Sequence, residues 1–177
     1  RWDALTGEPQ GTLGSGGAAV RRLVRVGDRV LIVRADHTAQ LGGVDRGWTG
    51  VTAATARGER LALGFDDGSA LVTGDGPDRR ITATGGAVRA LSLSPDGRML
   101  AVGLDDRTVH VHVEERGGWV ERAVGVVDGR ARPGLAFSPD ATGLAVVGGD
   151  STVELWDARA LRDPDPVATV ALRYGPD

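Results

Sequence analysis

The chain has 177 residues, of which 41% are hydrophobic and 25% are charged, and its formal net charge is −3. This balance is typical of a folded domain; no apolar run approaches the ~20 residues that cross a bilayer, and no sustained basic face suggests a nucleic-acid partner. Cysteine is absent, which excludes disulfides, thiol catalysis and cysteine-bound zinc and favours a reducing, cytoplasmic setting.

Taken in chain order, the sequence predicts short strands separated by turns. Four apolar runs each follow a turn signal rich in Gly, Asp or Pro: "RVLIVRA", "RLALGF", "RMLAVGL" and "GLAVVGG". Each run precedes Asp-x-Thr or Asp-x-Ser and then a shorter apolar stretch, of which "VHVHV" has the strict alternation of a strand. Weaker strands are predicted at "RRITATG", "WVERAVGVV" and "PVATVAL". No segment has a sustained helical period, so we expect almost no helix.

The Asp-x-Thr/Ser marker defines an internal repeat. After the four apolar runs it occurs at residues 36–38, 67–69, 106–108 and 150–152, with spacings of 31, 39 and 44 residues. Trp2-Asp3 matches Trp156-Asp157 at a position that fits this period, so a partial fifth unit is expected at the start. A four-stranded sheet of this size cannot bury both faces alone, whereas sheets stacked around an axis can. The sequence therefore predicts an all-β fold of about four four-stranded antiparallel sheets.

The repeat resembles the WD-repeat family of β-propellers. The resemblance is carried by "VRALSLSPDGRMLAVGLDDRTVHVHV" and by "GLAFSPDATGLAVVGGDSTVELWD", which ends in the Trp-Asp dipeptide of the family. The Gly-His dipeptide of the family is missing, since "SGGAAV" and "TGGAVR" keep only the glycines. The resemblance implies that each unit runs from an outer strand to the innermost, second and third strands. It places the innermost strands near residues 19–26, 51–56, 88–94 and 135–138.

The same pattern predicts a propeller fragment of about four blades, cut from a larger ring that in this family usually has about seven. The predicted blades are 10–47, 48–76, 77–117 and 118–163. Residues 1–9 are expected to end a preceding blade, and residues 164–177 to supply the outer strand of a following blade. The start at Arg1, without an initiator methionine, favours a piece of a larger protein. The short "GWTGV" segment leaves little room for an outer strand in the second unit.

The four marker aspartates are interpreted as structural turn residues. An aspartate in a tight turn accepts a hydrogen bond from the backbone two residues on, and the Thr or Ser then opens the next strand. A ring of carboxylates around a cation is the alternative. The residues concerned are Asp36, Asp67, Asp106 and Asp150.

Histidine and arginine patterns offer weaker functional hypotheses. His110 and His112 face the same side of one strand, and such a pair binds zinc or copper only if a third ligand converges. The sequence supplies no evident third ligand, and His112 occupies the packing position that Trp156 holds in the next unit, so we expect no metal and no cofactor. The arginines at 21, 22 and 25 either bind an anion near the channel or lie solvated at its rim, and we favour the second interpretation.

The resemblance implies a non-catalytic platform that binds a protein or peptide partner, or other domains of the same chain. Two candidate surfaces are the turns between second and third strands and the loops before the innermost strands. Their candidate residues are His37, Trp48, Asp66, Asp67, Asp105, Arg107, Arg130 and Asp150. An exposed Trp48 or Trp119 would be the natural binding hot spot, with packing in its own strand the favoured role of Trp119.

All 21 basic residues are arginine, a bias that we attribute to a GC-rich genome. In such bacteria, propellers of this family are often fused to signalling modules, so the resemblance implies the sensing or assembly region of a larger signalling protein. One alternative is part of an enzymatic propeller, of the metal-dependent lactonase or quinone-dependent dehydrogenase type, with its site in other blades. The innermost strands here contain no carboxylate, histidine or asparagine to support it. A purely structural role in completing a ring is the other alternative.

Overall fold

A computed structural model of the chain describes residues 17–74, 76–116, 118–127, 134–148, 152–162 and 171–174. In these residues sixteen strands form four antiparallel sheets of four strands each, which confirms the predicted fold class. Sheet 1 contains β1 (Val20–Val26), β2 (Arg29–Arg34), β3 (Ala39–Leu41) and β4 (Val44–Trp48). Sheet 2 contains β5 (Val51–Arg57), β6 (Arg60–Phe65), β7 (Ser69–Gly74) and β8 (Gly76–Thr82).

The other two sheets follow the same plan. Sheet 3 contains β9 (Val88–Leu93), β10 (Met99–Leu104), β11 (Thr108–Glu115) and β12 (Gly118–Val126). Sheet 4 contains β13 (Gly134–Phe137), β14 (Gly143–Val147), β15 (Val153–Asp157) and β16 (Ala171–Tyr174). The helical content of the described residues is one turn of 3-10 helix, Ala160–Arg162, in agreement with the near absence of helix predicted.

Within every sheet the strands pair in chain order, so each sheet is a meander. The first strands β1, β5, β9 and β13 begin within a residue of the predicted innermost strands, and first strands of neighbouring sheets contact each other. Since these strands meet along one line while later strands lie progressively farther out, the sheets are arranged like the blades of a fan.

The sheets are offset from the sequence units, because the fourth strand of sheets 2, 3 and 4 comes from the start of the next unit. Ala171–Tyr174, at the end of the chain, pairs with Val153–Asp157. It therefore closes sheet 4 and does not belong to a following blade, which corrects the expectation for residues 164–177. Sheet 1 obtains its outer strand from Val44–Trp48, which pairs with β3 through an irregular register.

Apolar side chains fill the space between consecutive sheets. Strand β11 shows how the alternating sequence serves two cores at once. Val109, Val111 and Val113 join the core shared with sheet 4, while His110 and His112 point towards sheet 2. Such alternation explains why strands with polar residues at every second position are buried on both faces.

Trp156 fills the interface between sheets 3 and 4 and is only 5% exposed. Its ring lies against Gly125 on β12, where an added Cβ would come within 2.3 Å of the indole Cη2. The indole N–H donates to the buried carboxylate of Glu154 at 3.1 Å. Glycine at position 125 is therefore a requirement of packing, since any side chain there would displace the tryptophan.

Candidate functional site

The two candidate surfaces of the sequence lie at one end of the sheets and form one face. We call it the loop face; it consists of the turns between second and third strands and the loops that precede first strands. Backbone hydrogen bonds join the two sets: Ala35 N–H donates to Ala19, Val51 N–H to His37, and Asp66 N–H to Gly50, at 2.8 to 2.9 Å. The hydrogen bond from Val51 to His37 also links sheet 1 to sheet 2.

The same connection continues along sheets 2 and 3. Ala83 N–H donates to Gly68 at 3.3 Å, Asp106 N–H to Gly85 at 3.1 Å, and Val127 N–H to Arg107 at 2.9 Å. Turns and loops therefore alternate along a continuous hydrogen-bonded rim. Because the backbone is paired in this way, the side chains of the rim project from a defined scaffold.

The marker aspartates on this face hold their turns with their own carboxylates. Asp36 accepts hydrogen bonds from the hydroxyl and amide of Thr38, at 2.7 and 3.1 Å. Asp67 accepts the same pair from Ser69, and Asp106 from Thr108. The hydrogen bonds from Thr38 hold the pKa of the Asp36 carboxyl below its ordinary value. In all three turns the oxygen that accepts both hydrogen bonds is Oδ1, so each carboxylate holds the backbone of its own turn.

The residue after each of the three described marker aspartates, Asp36, Asp67 and Asp106, adopts the left-handed conformation. The φ angle is +83° at Gly68, and glycine adopts this conformation without strain. It is +64° at His37 and +75° at Arg107, where the side chain makes the left-handed conformation cost energy. His37 is contacted by Arg21, whose guanidinium lies 3.4 Å from the imidazole Nε2. Both strained turns therefore present a polar side chain on the loop face.

Two arginine–aspartate ion pairs hold further side chains of the loop face in place. Arg89 binds both oxygens of Asp105 in a bidentate pair, which raises the pKa of the arginine. Arg80 donates to Asp67 Oδ2 at 2.7 Å, and its guanidinium carbon lies 5.0 Å from the ring centre of Phe65. Hydrogen bonds from Ser69, followed by that from Arg80, hold the pKa of Asp67 below its ordinary value.

Trp48 is half-buried and lines an open groove of about 410 Å3 between sheets 1 and 2. Phe65, Asp66, Asp67 and Arg80 line the same groove. The structure thus brings Trp48, Asp66 and Asp67 together, although they come from separate loops. Trp119 is also half-buried, but it packs against the core between sheets 2 and 3, and not on the loop face.

Two predicted site residues, Arg130 and Asp150, lie outside the described residues, as do Trp2-Asp3 and residues 1–9. Sequence reasoning missed Arg80 and Arg89, which bind the aspartates of the face. Arg89 holds the second position of a first strand, as Arg21 does, and this shared position was a usable signal. The pairing of Arg80 depends on the register between β7 and β8, which the sequence does not specify.

The other arginines of β1 are bound by backbone carbonyls. Arg22 donates to Ala54 of sheet 2 at 3.0 Å, and Arg25 donates to Gly27 at 2.9 Å. Both guanidinium groups are thus engaged by backbone carbonyls of the described residues.

His110 and His112 stack with their ring centres 6.4 Å apart, and both are buried. His110 Nδ1 lies 2.7 Å from Glu121. Burial lowers the pKa of His112 to about 4, against the opposing charge of Glu121. Across the described ranges no group of three His, Cys, Asp or Glu side chains is arranged to hold a metal ion. His112 is 3% exposed and occupies in sheet 3 the register position that Trp156 occupies in sheet 4.

Four meandering four-stranded sheets packed side by side around their first strands define a β-propeller architecture. Residues 77–112 and 133–157 match the family described as "WD domain, G-beta repeat". The two matched segments are therefore similar to WD repeats, and the described sheets have the fold of a β-propeller. No curated protein matches the chain in sequence.

Solved structures of Hsv2 share the fold. A Kluyveromyces lactis Hsv2 with a complete loop 6CD is 19% identical, with a TM-score of 0.69, and the match covers 89% of this chain and 53% of that one. Another structure of K. lactis Hsv2 is 17% identical, with the same TM-score, and the match covers 93% of this chain and 56% of that one. Hsv2 of Kluyveromyces marxianus is also 17% identical, with a TM-score of 0.69 and coverage of 89% and 55%. The chain therefore spans just over half the length of these proteins.

No helix in the part of the chain that the structure describes is long and apolar enough to cross a membrane.

Proposed function

We propose that the chain is a non-catalytic protein-interaction propeller whose loop face binds a protein or peptide partner. WD-repeat domains generally mediate protein–protein interactions. The observation that carries the proposal is the continuous hydrogen-bonded rim, which sets the two candidate surfaces side by side. Binding residues are commonly placed on loops that a rigid scaffold positions, and this rim has that construction.

The chemistry of the first strands supports a non-catalytic role. In the described sheets these strands are VRRLVRV, VTAATAR, VRALSL and GLAF, which contain no carboxylate, histidine or asparagine. A metal or a general base near the axis would need such side chains. The four sheets therefore favour binding over catalysis.

We further propose that these sheets belong to a larger ring, as part of a bacterial signalling or assembly protein. Apolar side chains of the two end sheets support the ring: Leu23 is 63% exposed on β1, and Leu155 is 42% exposed on β15. Further blades packed on both ends would cover such residues. The arginine-only basic composition supports a GC-rich bacterial source. Cytoplasmic location is part of the same proposal, supported by the absence of cysteine.

Site-specific photo-crosslinking in the source cell tests the proposal. A photoreactive amino acid replaces Asp66 or Arg107 on the loop face, or Asp28 or Arg98 at the opposite end of the sheets. We expect discrete protein adducts from the two loop-face positions and none from the opposite pair. Adducts only from the opposite end, or equal adducts from all four positions, would contradict the assignment of the binding face.

A further inference from the structure

The groove between sheets 1 and 2 contains one arginine site formed by the chain itself. Arg80 lies over the ring of Phe65 and donates to the carboxylate of Asp67. An aromatic face and a carboxylate together bind a guanidinium well, because the ring attracts the cation and the carboxylate accepts its N–H groups. Phe65 and Asp67 therefore show that an aromatic ring and a carboxylate of this groove can bind a guanidinium group.

The same groove has a second aromatic and a second carboxylate. Trp48 is half-buried, so part of its indole faces the groove, and tryptophan is the best cation–π partner among the aromatic residues. Asp66 is exposed, and its carboxylate has no hydrogen bond or ion pair to any residue that the structure describes. Asp67 differs, since both of its oxygens are engaged by Ser69 and Arg80.

The backbone fixes the position of Asp66. Its N–H donates to Gly50 at 2.9 Å, and a Cβ added at Gly50 would lie 2.6 Å from Asp66 Oδ1. The carboxylate therefore lies close over the loop that carries Trp48. Glycine at position 50, with φ of +74°, allows this close approach.

The charges of the residues that line the groove indicate the charge of the ligand. Asp66, Asp67 and Arg80 are its charged lining residues, and Arg80 is neutralised by Asp67. The remaining charge is that of Asp66, so the groove has a net negative charge beside an indole. Charge complementarity then favours a cationic side chain and disfavours an acidic one.

We propose that this groove binds an arginine or lysine side chain of a partner's extended peptide segment, between the indole of Trp48 and the carboxylate of Asp66. The inference rests on the proposed function, because it specifies the partner chemistry of the loop face. Arginine is the better ligand, since its planar guanidinium both stacks on an indole and pairs with a carboxylate.

Selection from a random dodecapeptide library on the immobilised chain tests the proposal. Enriched peptides are then measured by fluorescence anisotropy, together with analogues in which each arginine is replaced by citrulline and each lysine by norleucine. We expect one basic residue whose neutral replacement weakens binding about tenfold, the combined effect of a cation–π contact and an exposed charge pair.

Two variants assign that effect to the groove. Asp66→Asn keeps the shape and removes the charge, so the difference in affinity between the basic peptide and its neutral analogue should shrink to the smaller factor that the cation–π contact with Trp48 supplies. Asp28→Asn makes the same change in net charge at the opposite end and should retain the tenfold difference. Asp66→Arg should reject the basic peptides. Circular dichroism of each variant verifies the fold.

The outcomes separate this inference from the proposed function. Peptides that bind the loop face with no basic requirement, or equally well to the wild type and to Asp66→Asn, overturn the groove inference and leave the interaction face standing. Failure to enrich any peptide overturns the groove inference, while crosslinked protein adducts at Asp66 and Arg107 would still support the face.

Discussion

Acid should destabilise the chain through His112, which lies in the interface between sheets 2 and 3. The side chain is 3% exposed, and its Nε2 is buried without a hydrogen-bond partner among the described residues. Burial lowers its pKa to about 4, from an ordinary value of 6.5; the charge of Glu121 opposes this shift and the neighbouring His110 adds to it. The neutral imidazole is thus the form that the folded state accommodates.

The direction of this pH effect depends on whether the folded or the unfolded chain binds a proton at His112. Below pH 6.5 the unfolded chain protonates His112 and the folded chain does not, so the contribution of this group to stability is complete above pH 6.5 and falls as pH drops towards 4. One pKa unit corresponds to about 1.4 kcal/mol, so the full loss is on the order of 3 kcal/mol, at a slope of about 1.4 kcal/mol per pH unit.

The assay is urea denaturation of the wild type and of His112→Phe, followed by tryptophan fluorescence at pH 7.5, 6.5, 5.5 and 4.5. Groups remote from His112 are common to both proteins, so the difference between their free energies of unfolding reports His112 together with its contacts to His110 and Glu121. We expect the stability of the wild type, relative to the variant, to fall by about 2 to 3 kcal/mol over this range. Equal pH dependence of the two proteins would refute the burial of a neutral histidine between the sheets.

Three further substitutions test the packing and the turns. Gly125→Ala should cost about 1–3 kcal/mol, measured by urea denaturation, because the new methyl meets the ring of Trp156, whereas Gly134→Ala, with only ordinary contacts, is its control. Gly68→Ala should lower the free energy of unfolding by more than about 1 kcal/mol, since its φ is +83° and carbonyl oxygens lie within 3 Å of the new Cβ. At the equivalent position, Arg107→Gly should raise stability by about 0.5–1 kcal/mol, because glycine relieves the left-handed strain; a lower melting temperature would contradict that strain.

The architecture was accessible from the sequence because its signals are local. The Asp-x-Thr/Ser turns, the alternation in Thr108–Glu115 and the absence of a helical period each depend on residues close together in the chain. The packing role of His112 could also be predicted, by aligning it with Trp156 in the next repeat. Such repeats encode the same strand and turn many times, which makes the pattern readable.

The site was less accessible because it depends on long-range placement. Two separate candidate surfaces were predicted, yet hydrogen bonds such as Val51 to His37 join them into one face. The pairing register of β8 places Arg80 beside Asp67, which is 13 residues away in the chain, and no local sequence pattern predicts this pair. The assignment of the last strand to a following blade failed because a sequence unit begins with the strand that closes the sheet before it.

Hydrogen–deuterium exchange of the chain, free and bound to its partner or to a selected peptide, tests the central claim most directly. The account predicts slower exchange at the loop-face segments 35–38, 49–51, 66–69 and 83–87, with the turns 27–28, 58–59 and 95–98 at the opposite end unchanged. Protection confined to those opposite turns, with the loop face exchanging as in the free chain, would contradict the assignment of the loop face as the binding surface.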